Sequence, residues 1–215
     1  MSPGYLVVEA RQPVARLLLA HGAGAPMDSD FMDALAHALA EQGISTMRFE
    51  FPYMALRRET DRRRPPDRAA VLLDSWRNAY AQAGRVGSDL PLLIGGKSLG
   101  GRMASMLVDE LGAAALYCYG YPFHPPGRPD KLRTDHLATL KAPALIVQGT
   151  RDPFGKPDLV EGLRLSPRLA IHWLPDGDHD FKPRRASGQD QQGLIQAAAE
   201  ATRRHLDTHV SAASA

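Results

Sequence analysis

The sequence predicts an α/β protein, with a mostly parallel central sheet flanked by helices on both faces. Three observations predict it. Short apolar runs alternate with amphipathic stretches along the chain. Four of those runs (Leu17-Leu18-Leu19-Ala20, Leu92-Leu93-Ile94, residues 115–119 and Ala144-Leu145-Ile146-Val147) are apolar without alternation, as strands covered on both faces must be. The composition is 44% hydrophobic and 23% charged over 215 residues, that of a folded chain. A single domain over residues 1–210 is expected, with 211–215 a disordered tail that has nothing to bury.

Strands are expected at residues 5–9, 15–20, 45–51, 92–95, 115–119, 144–148 and 169–174, with one or two of them, the first included, antiparallel at the edge. Helical spacing appears between them. Phe31, Leu35, Ala38 and Leu39 recur at i, i+4, i+7, and Gly43 stops that helix. Leu72, Trp76, Ala79, Tyr80 and Ala83 repeat the pattern after Pro65-Pro66-Asp67, a suitable helix entry. Leu99, Met103, Met106, Leu107 and Glu110 form one continuous third helix ended by Gly112, and a last long helix runs from Gln191 to about His209. Residues 52–66 and 121–143 read as irregular, and long loops in a compact α/β domain usually line its working edge.

Lys plus Arg number 26 and Asp plus Glu 24, a net charge of +2. That balance gives no bulk electrostatic reason to bind nucleic acid or an anionic membrane, so neither is expected as a partner. No apolar run approaches the roughly 20 residues of a membrane span. The start, Met1-Ser2-Pro3-Gly4-Tyr5, lacks the basic and apolar regions of a signal peptide, so a cytoplasmic location is expected. Cys118 is the only cysteine, which rules out an intramolecular disulfide and a cysteine-based zinc site. It falls within a strand and reads as inert core.

The sharpest chemical signal is Gly96-Lys97-Ser98-Leu99-Gly100. It fits G-x-S-x-G, in which a strand turns abruptly into a helix and holds the serine in a strained backbone conformation. The glycines are needed because neighbouring backbone passes too close for a Cβ. An apolar run precedes the motif and an amphipathic stretch follows it, so Ser98 is the candidate nucleophile. The same residues also end like a phosphate-binding G-x-x-x-x-G-K-[ST] loop. That reading fails, because Pro91 stands where the first glycine belongs and a buried strand replaces the flexible loop.

A serine nucleophile needs a base and an acid, following it in the order acid, then base. Asp152 lies just past the apolar run 144–148 and is the candidate acid. His179, in the Gly-Asp-His loop after the last strand, is the candidate base. His172 is set aside because it sits inside that strand. His21-Gly22-Ala23-Gly24-Ala25 follows another strand, and its turn can aim the Ala23 N–H at the site beside the N–H of Leu99, as an oxyanion hole. Its glycines do not fit a dinucleotide loop, since Met27 occupies the required third glycine position.

These elements together resemble the α/β-hydrolase superfamily over almost the whole chain. The strings His21-Gly22-Ala23-Gly24-Ala25, Arg48-Phe49-Glu50-Phe51-Pro52-Tyr53, Gly95-Gly96-Lys97-Ser98-Leu99-Gly100-Gly101-Arg102 and Gln148-Gly149-Thr150-Arg151-Asp152-Pro153-Phe154-Gly155 resemble a small capless branch. That branch is related to dienelactone-hydrolase-like proteins and to the hydrolase-like domain of the chromatin-associated NSL complex. Dienelactone hydrolases proper carry cysteine where this chain has Ser98, so their substrate is not carried over. The resemblance implies cleavage of a carboxylic ester or similar acyl bond of a small-molecule substrate. His179 would take the Ser98 proton, Asp152 would fix the imidazole, and an acyl-enzyme would form without any cofactor. A non-catalytic scaffold on the same fold, thioester cleavage and acyl transfer remain open, as does the oligomeric state.

The segment 121–143 is too short for a cap domain, so an open, shallow pocket is expected. Phe51, Tyr53, Tyr121 and Phe123 are placed at its rim. Arg57, Arg58, Arg62, Arg63, Arg64 and Arg68, interleaved with Glu59, Asp61 and Asp67, read as a solvated, partly self-paired loop, with capture of an anionic group as the alternative. Asp176, Asp178 and Asp180 alternate as in a calcium loop, but Phe181 replaces the glycine such a loop needs, so no metal is expected.

Overall fold

The computed structural model describes residues 4–86 and 88–210, and the expected tail at 211–215 lies outside the described residues. The apolar runs become seven strands: β1 Leu6–Val8, β2 Ala15–Ala20, β3 Ile44–Phe49, β4 Leu92–Lys97, β5 Leu116–Tyr119, β6 Ala144–Gly149 and β7 Leu169–Leu174. They form one sheet in the order β1-β3-β2-β4-β5-β6-β7. Only β1 is antiparallel, paired to β3 at the edge. The α-helices are α1 Asp30–Glu41, α2 Pro52–Thr60, α3 Ala69–Arg85, α4 Leu99–Ser105, α5 Val108–Leu111, α6 Pro157–Val160 and α7 Gln191–His209.

The unbroken apolar runs explain the layering. Leu17 and Leu19 of β2 point to one face, with Leu93, Tyr117, Tyr119, Leu145 and Val147, under α1 and α7. Leu18 and Ala20 point to the other, with Ile94, Leu116, Cys118 and Ile146, under α3 and α4. On that second face Trp76 is fully buried, edge-on to Phe49 at 4.8 Å between ring centroids. Burying a side chain of that size contributes about 3 kcal/mol.

Chain direction then fixes where a site can form. From β2 the chain crosses through α1 to β3, then returns past β2 to β4, with α3 on the opposite face. Right-handed crossovers require that change of face. The carboxyl ends of β2 and β4 therefore flank the point where the strand order reverses, and a crevice opens there. Gly22 follows one strand and Ser98 the other.

Two expectations are corrected. The stretch 52–66 is not wholly irregular, because α2 occupies Pro52–Thr60. Proline at its first turn sets φ, and the Asp67 carboxylate accepts the Tyr53 N–H at 3.0 Å. The helix after Ser98 is not continuous. The Ser105 hydroxyl donates to the Arg102 carbonyl (2.7 Å), and Met106 and Leu107 N–H groups turn to carbonyls three residues back, so the ladder tightens and breaks before α5. Met106 consequently faces solvent. No cap domain interrupts the sheet among the described residues, and none of their helices is long and apolar enough to cross a membrane.

Candidate active site

Ser98 stands between β4 and α4 with φ 50° and ψ −112°, a conformation most residues avoid and one that costs about 1–3 kcal/mol. The neighbouring glycines make that turn possible. A Cβ on Gly96 would lie 2.5 Å from the Ala20 carbonyl oxygen and 2.7 Å from the backbone of Gly100 and Gly101. One on Gly100 would collide with the backbone of Ala20 and His21. The strand-to-helix turn thus packs directly on the end of β2.

The Ser98 hydroxyl oxygen lies 2.9 Å from His179 Nε2. His179 Nδ1 lies 2.7 Å from Asp152 Oδ2. Asp152 follows β6, is fully buried, and accepts further hydrogen bonds at both oxygens. Its Oδ1 accepts the Phe154 N–H at 2.8 Å, and its Oδ2 also accepts from Gln148 Nε2 at 2.9 Å. Gln148, itself buried, accepts the Tyr121 N–H at 2.7 Å through its own oxygen, so one side chain ties the carboxylate to the chain leaving β5. The carboxylate leaves Nδ1 as the donor and Nε2 free to accept the serine proton. His172 stays within β7 and away from this chain of contacts.

The His179 loop is pinned from several sides. Phe154 packs edge-on against the imidazole at 4.6 Å, and Phe181, fully buried with φ 60°, packs on Phe31 at 5.4 Å. The three alternating aspartates find separate partners. Asp176 pairs with Arg184 and Arg151, Asp178 accepts the N–H groups of Asp180 and Lys182, and Asp180 pairs with Lys97 at 3.2 Å. Lys97 is buried, with its ammonium 5.3 Å from the Phe31 ring centroid. Burial pushes that ammonium below the ordinary lysine range, against the attraction of Asp180, Asp152 and Asp178. Burial acts to raise the Asp180 carboxyl, but the charge and hydrogen bond of Lys97 prevail and hold it below its usual value.

Across the crevice, residues 22–25 form the turn after β2. A Cβ on Gly22 would sit 3.6 Å from Ser98 Cβ, so this turn runs directly past the serine. His21 is fully buried behind it. Its Nδ1–H donates to the Gly22 carbonyl (2.7 Å) and its Nε2 accepts the Phe51 N–H (3.1 Å). Desolvation lowers its affinity for a proton, and that bonding pattern requires the neutral ring. Among the described residues the Ala23 N–H has no hydrogen-bond partner, and Ala23 lines the cleft with Ser98. Leu99 opens α4, so its N–H is one of the unpaired donors of a helix start.

The cleft has a cavity volume of about 370 Å³. Ala23, Ala25, Phe31, Met32 and Phe154 supply its apolar wall, with Ser98, His179, Lys97 and Asp180 as polar groups. The rim expectation is therefore corrected. Phe51, Tyr53, Tyr121 and Phe123 are at most 2% exposed and belong to the core under the site. Four large rings gain more from burial than from edging an open cleft, and the phenols find internal acceptors. Tyr53 bridges the Gly22 and Ala23 carbonyls at 3.3 and 3.2 Å, and Tyr121 donates to the Arg133 carbonyl at 3.0 Å. Phe31 reaches the cleft instead, because the first turn of α1 points at it; its helical spacing marked it only as core.

Sequence reading also passed over Gln148, Lys97 and Asp180. The signal for Gln148 was a polar residue ending an otherwise apolar strand. The arginine run is not self-paired as expected. Arg58 pairs with Asp28 and Glu50, both outside the run, at 2.7 and 2.9 Å. A larger open groove of about 980 Å³ lies by the amino ends of β2 and β3, near Gln12, His37, Gly43 and Arg203, and it contains neither Ser98 nor His179.

Comparison with known proteins agrees with this fold. The family model described as "Alpha/beta hydrolase domain" matches residues 13–207. An α/β serine hydrolase homologue from Coxiella burnetii superposes with a TM-score of 0.73 at 18% identity, covering 94% of this chain and 90% of that one. An α/β serine hydrolase without lid from Xanthomonas campestris gives 0.65 at 20% identity, with 94% of each chain covered. A dienelactone hydrolase from Anabaena variabilis gives 0.69 at 19%, covering 95% and 90%. At these identities the structures speak for the fold alone, and the family match, which spans most of the sequence, speaks for descent. The chain belongs to the alpha/beta hydrolase domain family.

Proposed function

We propose that this protein is a serine hydrolase that cleaves a carboxylic ester or a similar acyl bond of a small molecule. The observation that carries this reading is the unbroken contact chain of 2.9 Å from Ser98 Oγ to His179 Nε2 and 2.7 Å from His179 Nδ1 to Asp152. A serine hydroxyl is a poor nucleophile until a base takes its proton. His179 is within reach to do so, and the Asp152 carboxylate stabilises the imidazolium that results. Ser98 then attacks the carbonyl carbon, and the developing oxyanion is held by the N–H groups of Ala23 and Leu99. The leaving alcohol takes the proton from His179. Water, deprotonated by the same imidazole, releases the acyl group. The apolar wall of Phe31, Met32 and Phe154 and the cleft volume of about 370 Å³ favour a short or compact acyl group.

Two assays test the proposal. A fluorophosphonate probe followed by mass-spectrometric mapping should place the adduct on Ser98, and a p-nitrophenyl ester panel should show turnover highest for short acyl chains. No adduct on Ser98 together with no turnover would overturn it in favour of a scaffold that has kept the fold. Adduct with turnover only on thioesters would keep the acyl-enzyme and change the substrate.

A further inference from the structure

We propose that the Lys97–Asp180 ion pair positions the His179 loop against the nucleophile strand and sets opposed, compensating charges beside the imidazole. This inference rests on the serine hydrolase reading and adds a positioning role for two residues that touch neither Ser98 Oγ nor the proposed oxyanion.

The geometry singles the pair out. Lys97 is the last residue of β4 and precedes Ser98, whereas Asp180 follows His179 on the loop after β7. Their 3.2 Å contact therefore links the strand that presents the nucleophile to the loop that presents the base. Gln191 of α7 holds the same loop by donating to the Asp180 carbonyl at 2.7 Å. The ammonium lies close to the ring. A Cβ on Gly120 would be 3.3 Å from both His179 Nδ1 and Lys97 Nζ, so the two nitrogens are at most 6.6 Å apart. Gly120 also carries φ 69°, and a side chain there would occupy the space both groups use.

A full positive charge within that distance, on a buried side chain, opposes protonation of a neighbouring imidazole. The Asp180 carboxylate supports it. The other groups facing the ring are few. Asp152 lies behind it from the β6 end, and Asp178 and Lys182 belong to its own loop. The turn after β2 contributes Gly22, Ala23, Gly24 and Ala25, and α1 contributes Ser29, Phe31 and Met32, none of them charged. Phe154 is neutral, and α7 brings Gln191. Lys97 and Asp180 are thus the opposed charges on the cleft side of the imidazole.

The test is a pair of neutralising substitutions read by two methods: NMR titration of the His179 ring protons, and the acid limb of the kcat/KM profile on the best ester of the panel. Lys97→Met leaves Asp180 unopposed, so both midpoints should move up by about half a pH unit or more. Asp180→Asn leaves Lys97 unopposed, so both should move down by a similar amount. The double variant should return close to the parent. A purely structural role would leave the midpoints unmoved in the two variants, or move them the same way in Lys97→Met as in Asp180→Asn, and either result overturns the proposal. If Lys97→Met fails to fold, Asp180→Asn decides the matter, since Asp180 is more than half exposed and its replacement is isosteric. The NMR arm needs no catalysis: shifts without turnover would sink the hydrolase reading and keep the charge balance, while turnover without shifts would do the reverse.

Discussion

Lowering the pH from 7.5 to 4.5 should destabilise this protein through one buried histidine far from the site. His205 lies on α7, is 8% exposed, and meets the Tyr117 hydroxyl at 3.3 Å while its Nε2 is buried without a partner. Burial, and then the neighbouring His209 at 4.5 Å between ring centroids, push its pKa down from 6.5 to about 4. At pH 7.5 the ring is neutral in both the folded and the unfolded chain. As the pH falls below 6.5 the unfolded chain takes up a proton that the folded one refuses, so stability declines until about pH 4 and then levels off. At pH 4.5 two pH units of that window have been crossed, which amounts to about 2–3 kcal/mol. The loss is a sizeable share of the 5–15 kcal/mol typical of a domain. Urea unfolding at the two pH values, on the parent and on His205→Gln, isolates it from the other titrating groups. The variant should lose ~2–3 kcal/mol less than the parent between pH 7.5 and 4.5. Equal losses in the two proteins, or an NMR midpoint for His205 near 6.5, would refute the argument.

Other outcomes follow from the same structure. Ser98→Ala should reduce ester turnover by about 10³-fold or more with its thermal midpoint within a few degrees of the parent, measured side by side. Gly96→Ala should cost about 3 kcal/mol in chemical denaturation, because the added methyl meets only backbone of β2 and α4, and a negligible change would contradict the close approach. Gln148→Leu should cost about 2–4 kcal/mol by removing a charge-assisted bond to Asp152 and stranding the buried Tyr121 N–H, and should lower kcat more than it raises KM. Tyr53→Phe should leave stability within about 1 kcal/mol while lowering kcat, since it releases the Gly22 and Ala23 carbonyls and loosens the turn that carries the Ala23 N–H.

The division between what was legible in the chain and what was not follows the range of the forces involved. Local patterns sufficed for the strands. Runs such as Leu17-Leu18-Leu19-Ala20 can satisfy their apolar side chains only under two helical layers, and β7 was placed to the residue. The motif around Ser98 was equally readable, because its glycines answer to a backbone collision that any such turn must meet. Helix ends were less so: Ser105 broke a periodic stretch through a side-chain bond that competes with the ladder, and Pro52 began α2 with help from Asp67, near the far end of the arginine run.

By itself the sequence determined the layered sheet, the strands that lead to Ser98, Asp152 and His179, and the order in which those three residues arrive. Only the tertiary structure decided what surrounds them. Phe51, Tyr53, Tyr121 and Phe123 went inward and Phe31 and Phe154 outward into the cleft, because whether an aromatic ring is core or lining depends on the direction of its parent element, which spacing along the chain does not encode. Gln148, Lys97 and Asp180 became supports of the site for the same reason. A hydrogen bond or ion pair between residues remote in sequence exists only once the sheet brings its strand ends within about 3 Å of one another.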